Sequence, residues 1–221
     1  MSSRGKLRTD HGEIDGLITW QQAIVAALVG YLLGAIPTGM IVARVYGNVD
    51  LTAHGSRRTG ATNVLRTLGT GAAIVAFAGD FLKGALAVLI VRYTVGDGSA
   101  WPELIAAIAA VIGHSYSIFI GFKGGRGVVT GFGATIVAAP VLMIVAFAFG
   151  IALVAITRYV SLGSVSGAIL GALLLCGLAV YTGDPAWAIW GVGLGGFIVV
   201  AHRDNIERLL AGTERRLGDR V

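Results

Sequence analysis

Residues 128–157 read VVTGFGATIVAAPVLMIVAFAFGIALVAIT, a stretch without a charged side chain. A helix needs about 20 apolar residues to cross the hydrocarbon core of a bilayer, so this stretch is longer than one crossing requires. Pro140 lies near its middle, and a proline removes a backbone donor and clashes with the preceding helical turn. The sequence therefore predicts a break at Pro140 that gives two shorter segments, 128–139 and 141–157.

The rest of the chain is also typical of a membrane protein. Hydrophobic residues make up 55% of the 221 residues and charged residues 13%, whereas about 25% of an average soluble domain is charged. The 34 glycines suit membrane helices, where small residues let backbones approach closely. The break at Pro140 decides between six and seven crossings, because the remaining apolar stretches cover residues 18–46, 72–95, 102–121, 162–182 and 185–201.

The positions of the basic residues distinguish between these two counts. Each additional crossing moves all later loops to the opposite side of the membrane. With seven crossings and the N-terminus outside, the loops that hold Ser56, Lys123, Arg158 and His202 all face the cytoplasm, as the positive-inside rule favours. The sequence thus predicts an all-α integral membrane protein of about seven transmembrane helices, one or more of them short or broken near Pro140. We expect the N-terminus outside and the C-terminus in the cytoplasm.

Three regions are expected along the chain. Residues 1–16 mix basic and acidic side chains before any apolar core begins, which predicts a disordered N-terminal tail and no cleavable signal. Residues 17–204 form a single transmembrane domain, and residues 205–221 form a cytoplasmic C-terminal segment.

Composition also excludes several classes of function. The net charge of +5 follows from the positive-inside bias in a membrane protein, so we expect no nucleic-acid partner. Cys176 is the single cysteine, which excludes an internal disulfide and a thiolate metal site. The sequence has no Glu-x-x-His pair, histidine cluster or acidic cluster, so no metal site and no cofactor are expected.

The first polar string, residues 54–69, reads HGSRRTGATNVLRTLG. Gly55 permits a tight turn. Ser56 or Thr62 can cap a helix that begins near residue 62, and Arg66 lies one turn along it. A capped helix start with arginines nearby suits an anion. The alternative is an ordinary surface helix whose basic side chains meet lipid headgroups.

The second string, residues 114–127, reads HSYSIFIGFKGGRG. Three glycines surround Lys123 and Arg126 there, Gly124 and Gly125 among them. Backbone amides and cations in such a loop can converge on phosphate oxygens, although the spacing differs from that of a Walker A loop. The alternative is an inter-helix turn with snorkelling cations.

Two shorter strings and one buried pair complete the set of polar features. Ser161 and Ser164 share one helical face beside Arg158, and His202 and Asn205 share a face where the last apolar stretch ends. Asp80 and Lys83 lie within an apolar stretch. They form either a structural ion pair that lowers the cost of burial or part of a polar site wall.

Taken in order, these strings resemble the bacterial acyl-phosphate:glycerol-3-phosphate acyltransferase family over residues 28–217. The resemblance implies a seven-helix enzyme of the bacterial inner membrane whose site faces the cytoplasm. It implies transfer of a fatty acyl group from acyl phosphate to the 1-hydroxyl of glycerol 3-phosphate, which gives 1-acyl-glycerol 3-phosphate and inorganic phosphate in phospholipid biosynthesis. The matching motifs are YLLGAIP (31–37), GATNVLR (60–66), DFLKG (80–84), GH (113–114), FKGGRG (122–127), RYVSLGS (158–164) and HRDNIERLLAG (202–212).

The resemblance also assigns roles to residues. It implies Ser56, His202 and Asn205 as catalytic residues, with His202 as a candidate base whose reference pKa suits that task. Its implied partners are the lipid bilayer, both substrates and the peripheral enzyme that makes acyl phosphate from acyl carrier protein. The implied substrate- and phosphate-binding residues are Gly55, Ser56, Asn63, Arg66, Lys123, Gly124, Gly125, Arg126, Ser161, Ser164, His202 and Asn205.

The chain departs from the family pattern at two places. The family string is Gly-Ser-Gly-Asn-Pro/Ile-Gly-Ala-Thr-Asn, whereas Arg57, Arg58 and Thr59 stand in its middle here. We therefore expect a bulkier, more cationic loop whose turn differs. Arg126 stands where the family commonly has lysine, which keeps the charge but gives a planar, forked donor. A transporter or channel for a phosphorylated solute is the alternative function, since a broken helix and basic loops suit it too.

Overall fold

A computed structural model describes residues 18–219 of the chain. The predicted N-terminal tail, residues 1–16, lies outside the described residues. Within them the fold is entirely helical, with no β-strand, and a short 3-10 helix follows α5 at Ile118–Ile120. The α-helices are α1 (Trp20–Ala35), α2 (Thr38–Gly47), α3 (Ala61–Leu68), α4 (Thr70–Thr94), α5 (Trp101–Ser115), α6 (Val128–Ala138), α7 (Pro140–Thr157), α8 (Val160–Thr182), α9 (Ala186–Ala201) and α10 (Arg203–Leu210).

Several of these helices have the length and composition of membrane spans. Five segments of the described chain qualify, namely α1 with α2, α4, α5 with the 3-10 helix, α7 and α8. A sixth is counted if α9 and α10 form one span, although the chain bends by 59° between them. Large apolar side chains such as Val180 (87% exposed) and Ile156 (81% exposed) point away from the bundle, as lipid-facing residues do. The protein is therefore a multi-pass integral membrane protein.

The predicted break at Pro140 is confirmed. Helix α6 ends at Ala138, and α7 begins at Pro140 in the first helical position. Proline is favoured there because its missing N–H has no partner within the helix in any case. The short α6 is buried along one face, with Thr130, Gly131, Gly133 and Thr135 among its buried residues. Because α6 is too short to cross a bilayer, the backbone groups at its ends must be surrounded by protein rather than lipid.

A second break was not predicted. The stretch 18–46 was expected to be one continuous segment, but α1 ends at Ala35 and α2 starts at Thr38. Pro37 causes the break for the same reason as Pro140, since it cannot donate a backbone hydrogen bond. The carbonyl of Ile36 at the break accepts a hydrogen bond of 2.8 Å from Nζ of Lys83. A buried side chain thus satisfies a backbone group that the helix leaves free.

Small residues bring the helices into close contact. A side chain at Gly30 or Gly34 of α1 would overlap the backbone of α5, and one at Gly133 of α6 would overlap the backbone of α4. Gly150 of α7 and Gly163 of α8 face each other in the same way. Such contacts are typical of membrane bundles, in which close backbone packing replaces the hydrophobic driving force. They fix the helix positions around the cavity described next.

Candidate active site

A cavity of ≈ 730 Å³ lies among α4, α6, α7, α8 and α9. One end is polar and is formed by residues 55–66, the loop before α6, the start of α8 and α10. The other end is apolar and reaches Met143 and Leu175 in the middle of the bundle. The cavity therefore connects a charged opening to an apolar groove between the membrane-spanning helices.

The polar end brings together residues from all four predicted strings, which are far apart in sequence. The predicted site residues that line the cavity are Gly55, Ser56, Asn63, Arg66, Gly125, Arg126, Ser161, Ser164, His202 and Asn205. Lys123 and Gly124 do not line it, and the Lys123 side chain is exposed. The binding roles of these two residues, like those of the residues that line the cavity, remain predictions.

Asn63 shapes the first loop. Its Oδ1 accepts a hydrogen bond of 3.0 Å from the backbone N–H of Ser56. Its Nδ2 donates to the carbonyls of Leu51, His54 and Arg58 at 3.1, 3.1 and 2.8 Å. The side chain is 2% exposed, so its amide organises the loop that presents Ser56.

The prediction of a side-chain N-cap for α3 is wrong. Neither Ser56 nor Thr62 caps α3, which begins after Gly60 without a side-chain cap. Ser56 instead lies seven residues before Asn63, whose side chain holds its backbone N–H. Capping by a hydroxyl requires the residue at the N-cap position, and the bend at Gly60 moves Ser56 out of it.

The first loop keeps the left-handed turn that a glycine would favour, although arginine replaces glycine there. Arg57 occupies the position of the family's second glycine and has a φ of 57°. That left-handed conformation costs a residue with a side chain roughly 1–2 kcal/mol relative to glycine. The predicted bulkier, more cationic loop is present, because Arg57 and Arg58 are both exposed at the cavity mouth.

Arg66 is one of the cations that line the cavity. It projects from α3 and is half-buried. Burial and the nearby charge of Arg215 lower the pKa of Arg66, while the Glu214 carboxylate opposes that change. Arg215 also lines the cavity. Two like charges that face one cavity favour an anion between them.

Arg126 is tied to the last helix. Its Nη2 lies 2.9 Å from a carboxylate oxygen of Asp204, and its Nε donates to the carbonyl of Ala201 at 3.1 Å. Burial lowers the pKa of Arg126, and the Asp204 carboxylate partly offsets this. The pair joins the glycine loop to the bend between α9 and α10, so that both sides of the polar end are held together.

Sequence reasoning missed Glu214, a central residue of the polar end. One carboxylate oxygen of Glu214 accepts hydrogen bonds from Ser161 at 2.7 Å and Asn205 at 2.6 Å, and the other accepts one from Nε of Arg208 at 2.8 Å. Burial raises the pKa of Glu214, but these three donors outweigh burial and hold its pKa below the usual range. Glu214 fixes the orientation of two predicted site residues from the C-terminal segment.

His202 lies at the bend after the end of α9 and is 3% exposed. Its Nδ1 is 2.8 Å from the carbonyl oxygen of Ile198. The Nδ1–H therefore donates to that carbonyl, which leaves Nε2 as an acceptor. Burial lowers the pKa of His202 to about 4, and Arg126 contributes in the same direction. The imidazole is therefore neutral at physiological pH, and the lowered pKa makes it a weaker base than the reference pKa used in the sequence-based prediction suggests.

The apolar end is a groove suited to a hydrocarbon chain. Aromatic rings of α4, α6 and α7 line one wall, and Phe132 and Phe147 stack with ring centroids 4.2 Å apart. Gly163, Gly167 and Gly171 of α8 also line the groove. The Cβ positions of Gly163 and Gly167 are taken up by α7, so these glycines bring the two helices close together beside the groove. Among residues 18–219 no three His, Cys, Asp or Glu side chains cluster as metal ligands would.

Comparisons with known proteins agree with this geometry. The family model described as glycerol-3-phosphate acyltransferase matches residues 24–212. The glycerol-3-phosphate acyltransferase of Thermus thermophilus is 44% identical over 90% of this chain and 97% of the relative. Glycerol-3-phosphate acyltransferase 1 of Deinococcus radiodurans is 45% identical over 90% of this chain and 98% of the relative.

This chain belongs to the glycerol-3-phosphate acyltransferase family. Its fold also matches the crystal structure of PlsY (YgiH), an integral membrane glycerol 3-phosphate acyltransferase, in the glycerol 3-phosphate form. The TM-score is 0.81 at 37% identity, and the match covers 89% of this chain and 96% of that one. The family membership that the ordered motifs predicted is thus confirmed.

Proposed function

We propose that the protein transfers a fatty acyl group from acyl phosphate to the 1-hydroxyl of glycerol 3-phosphate. The observation that carries this proposal is the single cavity with two unlike ends. Cations line the end where substrate phosphates would bind, and an apolar groove in the membrane interior would accept the acyl chain. A site for a phosphorylated acyl donor and a phosphorylated acceptor needs both ends.

The reaction requires little covalent chemistry from the protein. The acceptor hydroxyl attacks the carbonyl carbon of the mixed anhydride, the bond from that carbon to the phosphate oxygen breaks, and inorganic phosphate leaves. The products are 1-acyl-glycerol 3-phosphate and inorganic phosphate. Positioning of the two substrates and stabilisation of negative charge supply much of the rate enhancement in such a site.

The polar end supports a division of roles among its residues. Arg66 and Arg126, with the glycine-loop amides, would hold substrate phosphates, and Gly55 and Ser56 would close the site from the first loop. Asn205 and Ser161 are oriented through Glu214, and Ser164 lies beside them on α8. Neutral His202 would orient the reacting hydroxyl or take its proton. Asn63 would contribute by holding the first loop, and Lys123 and Gly124 by their position in the second loop.

The topology proposed with this function has seven crossings. The short α6 and α7 would count as separate crossings, with the N-terminus outside and the site on the cytoplasmic side of a bacterial inner membrane. The charge distribution supports this orientation, because basic loops favour the cytoplasm and the polar end of the cavity is lined by Arg57, Arg58, Arg66, Arg126, Arg208 and Arg215. Residues 17–204 would form the acyltransferase domain and residues 205–221 a cytoplasmic segment. The peripheral enzyme that makes acyl phosphate would deliver it there.

Purified protein in lipid would be given glycerol 3-phosphate with palmitoyl phosphate or with a palmitoyl thioester. We expect acylglycerol phosphate from the acyl phosphate and at least tenfold less from the thioester. A matched pair of variants tests the site: Arg66→Gln should lower kcat/KM by about a hundredfold, the size of a lost charged contact. Arg44→Gln, which alters an exposed arginine outside the cavity, should not. Uptake of glycerol 3-phosphate into vesicles without acylation would instead support a transporter.

A further inference from the structure

A buried charged cluster lies beneath the glycine loop and is not used by the proposed reaction. Asp80 and Lys83 of α4 form the predicted ion pair, with Nζ of Lys83 2.8 Å from Oδ1 of Asp80. Thr38 donates a hydrogen bond to the same oxygen. Nδ1 of His114 lies 3.2 Å from it. Asp80, Lys83 and His114 are only 2%, 5% and 7% exposed.

The ion pair alone would neutralise Asp80, so His114 needs a separate explanation. Because Nδ1 faces the carboxylate, this nitrogen carries the hydrogen and donates a hydrogen bond to Asp80. The ring is then fixed in one tautomer and one orientation, as histidines held by carboxylates commonly are. Its opposite edge, with Nε2, points away from Asp80 toward the loop that precedes α6.

His114 contacts two glycines of that loop by different groups. A side chain on Gly125 would overlap the imidazole at Nε2, whereas one on Gly124 would overlap the backbone carbonyls of His114 and Ser115. The N–H of Gly125 also donates to the carbonyl of His114 at 3.3 Å. Neither Gly124 nor Gly125 has a positive φ, so both positions need glycine for space rather than for backbone conformation.

We propose that His114, oriented by Asp80, is a positioning residue that sets the distance of the loop at residues 124–127 from α5. The loop rests on the edge of the imidazole, and this support places Gly125 and Arg126 at the cavity wall. The effect of loop position on ligand binding rests on the proposed function, in which this loop binds a substrate phosphate. Displacement of the loop by about 1 Å would be enough to weaken binding up to about a hundredfold.

The test exploits the different contacts of the two glycines. Gly125→Ala and Gly124→Ala are made singly and in a His114→Asn background. Asparagine can still donate to Asp80 from its side-chain amide but is shorter, so it leaves room where Nε2 lay. The measurements are the Kd of glycerol 3-phosphate, KM and kcat for acyl transfer, and hydrogen exchange of the loop amides. The melting temperature in detergent checks folding.

We expect Gly125→Ala to weaken binding of glycerol 3-phosphate by about tenfold or more and to speed loop exchange. In the His114→Asn background the same change should alter Kd by less than about threefold, because the added methyl group then has space. Gly124→Ala should have the same effect in both backgrounds. His114→Asn alone should raise KM with little loss of kcat. Equal effects of Gly125→Ala in both backgrounds, or no effect of His114→Asn, would overturn the proposal.

A second variant tests the part played by Asp80 without leaving an uncompensated charge. Asp80→Leu with Lys83→Met removes both charges and the acceptor that faces Nδ1 of His114, and should speed loop exchange and raise KM. The matched control, Glu103→Gln with Arg92→Met, removes the ion pair at 2.6 Å between α4 and α5 outside the cavity and should leave both unchanged. Equal loop exchange in the two double variants would contradict a role for Asp80. Because loop exchange needs no ligand, a protein that fails to acylate glycerol 3-phosphate would refute the proposed function while leaving this inference testable.

Discussion

Substitution of Gly171 by leucine would close the deep part of the apolar groove. Gly171 lies on α8, about 15 Å along the helix axis from Ser161 at ~1.5 Å per residue. A Cβ at this position would have ordinary contacts with Met143, the nearest atom being 3.4 Å away. A Cβ therefore fits at this position, and we expect the larger leucine side chain to fill the groove beside Met143. The groove continues to Leu175, so the variant would remove its last turn or so.

The expected change in chain preference follows from the apolar surface that can no longer be buried. Burial of one methylene group contributes about 0.8 kcal/mol. A palmitoyl chain exceeds a myristoyl chain by a pair of methylene groups, so the advantage at stake is about 1.6 kcal/mol, or roughly fifteenfold. Gly171→Leu should therefore lower the ratio of kcat/KM for palmitoyl phosphate over myristoyl phosphate by up to about fifteenfold.

The assay is competition between the two donors with glycerol 3-phosphate as acceptor, read out by mass spectrometry of the products. Gly177→Leu is the matched control, because Gly177 lies on the same helix, faces away from the cavity and has open space around its Cβ position. It should keep the native ratio. An unchanged ratio in folded Gly171→Leu protein would refute the assignment of this groove to the acyl chain.

Three further predictions concern the polar end. Asn63→Asp replaces the amide whose two N–H groups are shared among three carbonyls and should cost about 2 kcal/mol of loop stability, at about 1 kcal/mol per N–H. The value of kcat/KM should fall sharply, whereas Thr67→Val, which removes one bond to the Asn63 carbonyl, should change it less than about threefold. Arg57→Gly should keep or raise the melting temperature, because the native arginine at a φ of 57° already bears a cost of ~1–2 kcal/mol relative to glycine. Arg57→Val should be less stable than Arg57→Gly by at least that cost, and equal melting temperatures of the glycine and valine variants would contradict a left-handed conformation at position 57. The pKa of Glu214 is lowered in the folded protein, so its stabilising contribution is complete above the unfolded value of 4.5 and is lost as pH falls through the folded value. The melting-temperature difference between the native protein and Glu214→Gln should accordingly narrow below pH 4.5, and a difference independent of pH would contradict the assigned contacts.

The sequence predicts the parts of this structure that depend on short-range physics. The break at Pro140 follows from the missing N–H of proline, and the helix near residue 62 follows from the local pattern. Pro37 carries the same signal as Pro140, but the apolar stretch 18–46 that contains it is close enough to the length of one crossing that composition alone does not indicate a break. The four polar strings could be recognised separately, and their order indicated the family.

Other features depend on contacts between distant residues. Glu214 bonds to Ser161 across 53 positions of the chain, and no spacing pattern reveals that an acid in a basic C-terminal segment is buried. The role of Asn63 could not be read from its motif either, because its bonds run back to a loop whose path depends on Gly60 and Arg57. The contact of His114 with Gly125 requires α5 to pass under the loop before α6, which only the packed bundle shows.

The most direct measurement is the stoichiometry of the reaction in purified protein reconstituted in lipid. Labelled glycerol 3-phosphate and palmitoyl phosphate are supplied, and acylglycerol phosphate and inorganic phosphate are quantified together. Acyl transfer from the mixed anhydride predicts equal amounts of the two products, both formed about a hundredfold more slowly in the Arg66→Gln variant at low substrate concentration. Phosphate release without acylglycerol phosphate, or no product from a folded preparation that binds both substrates, would contradict the proposed function.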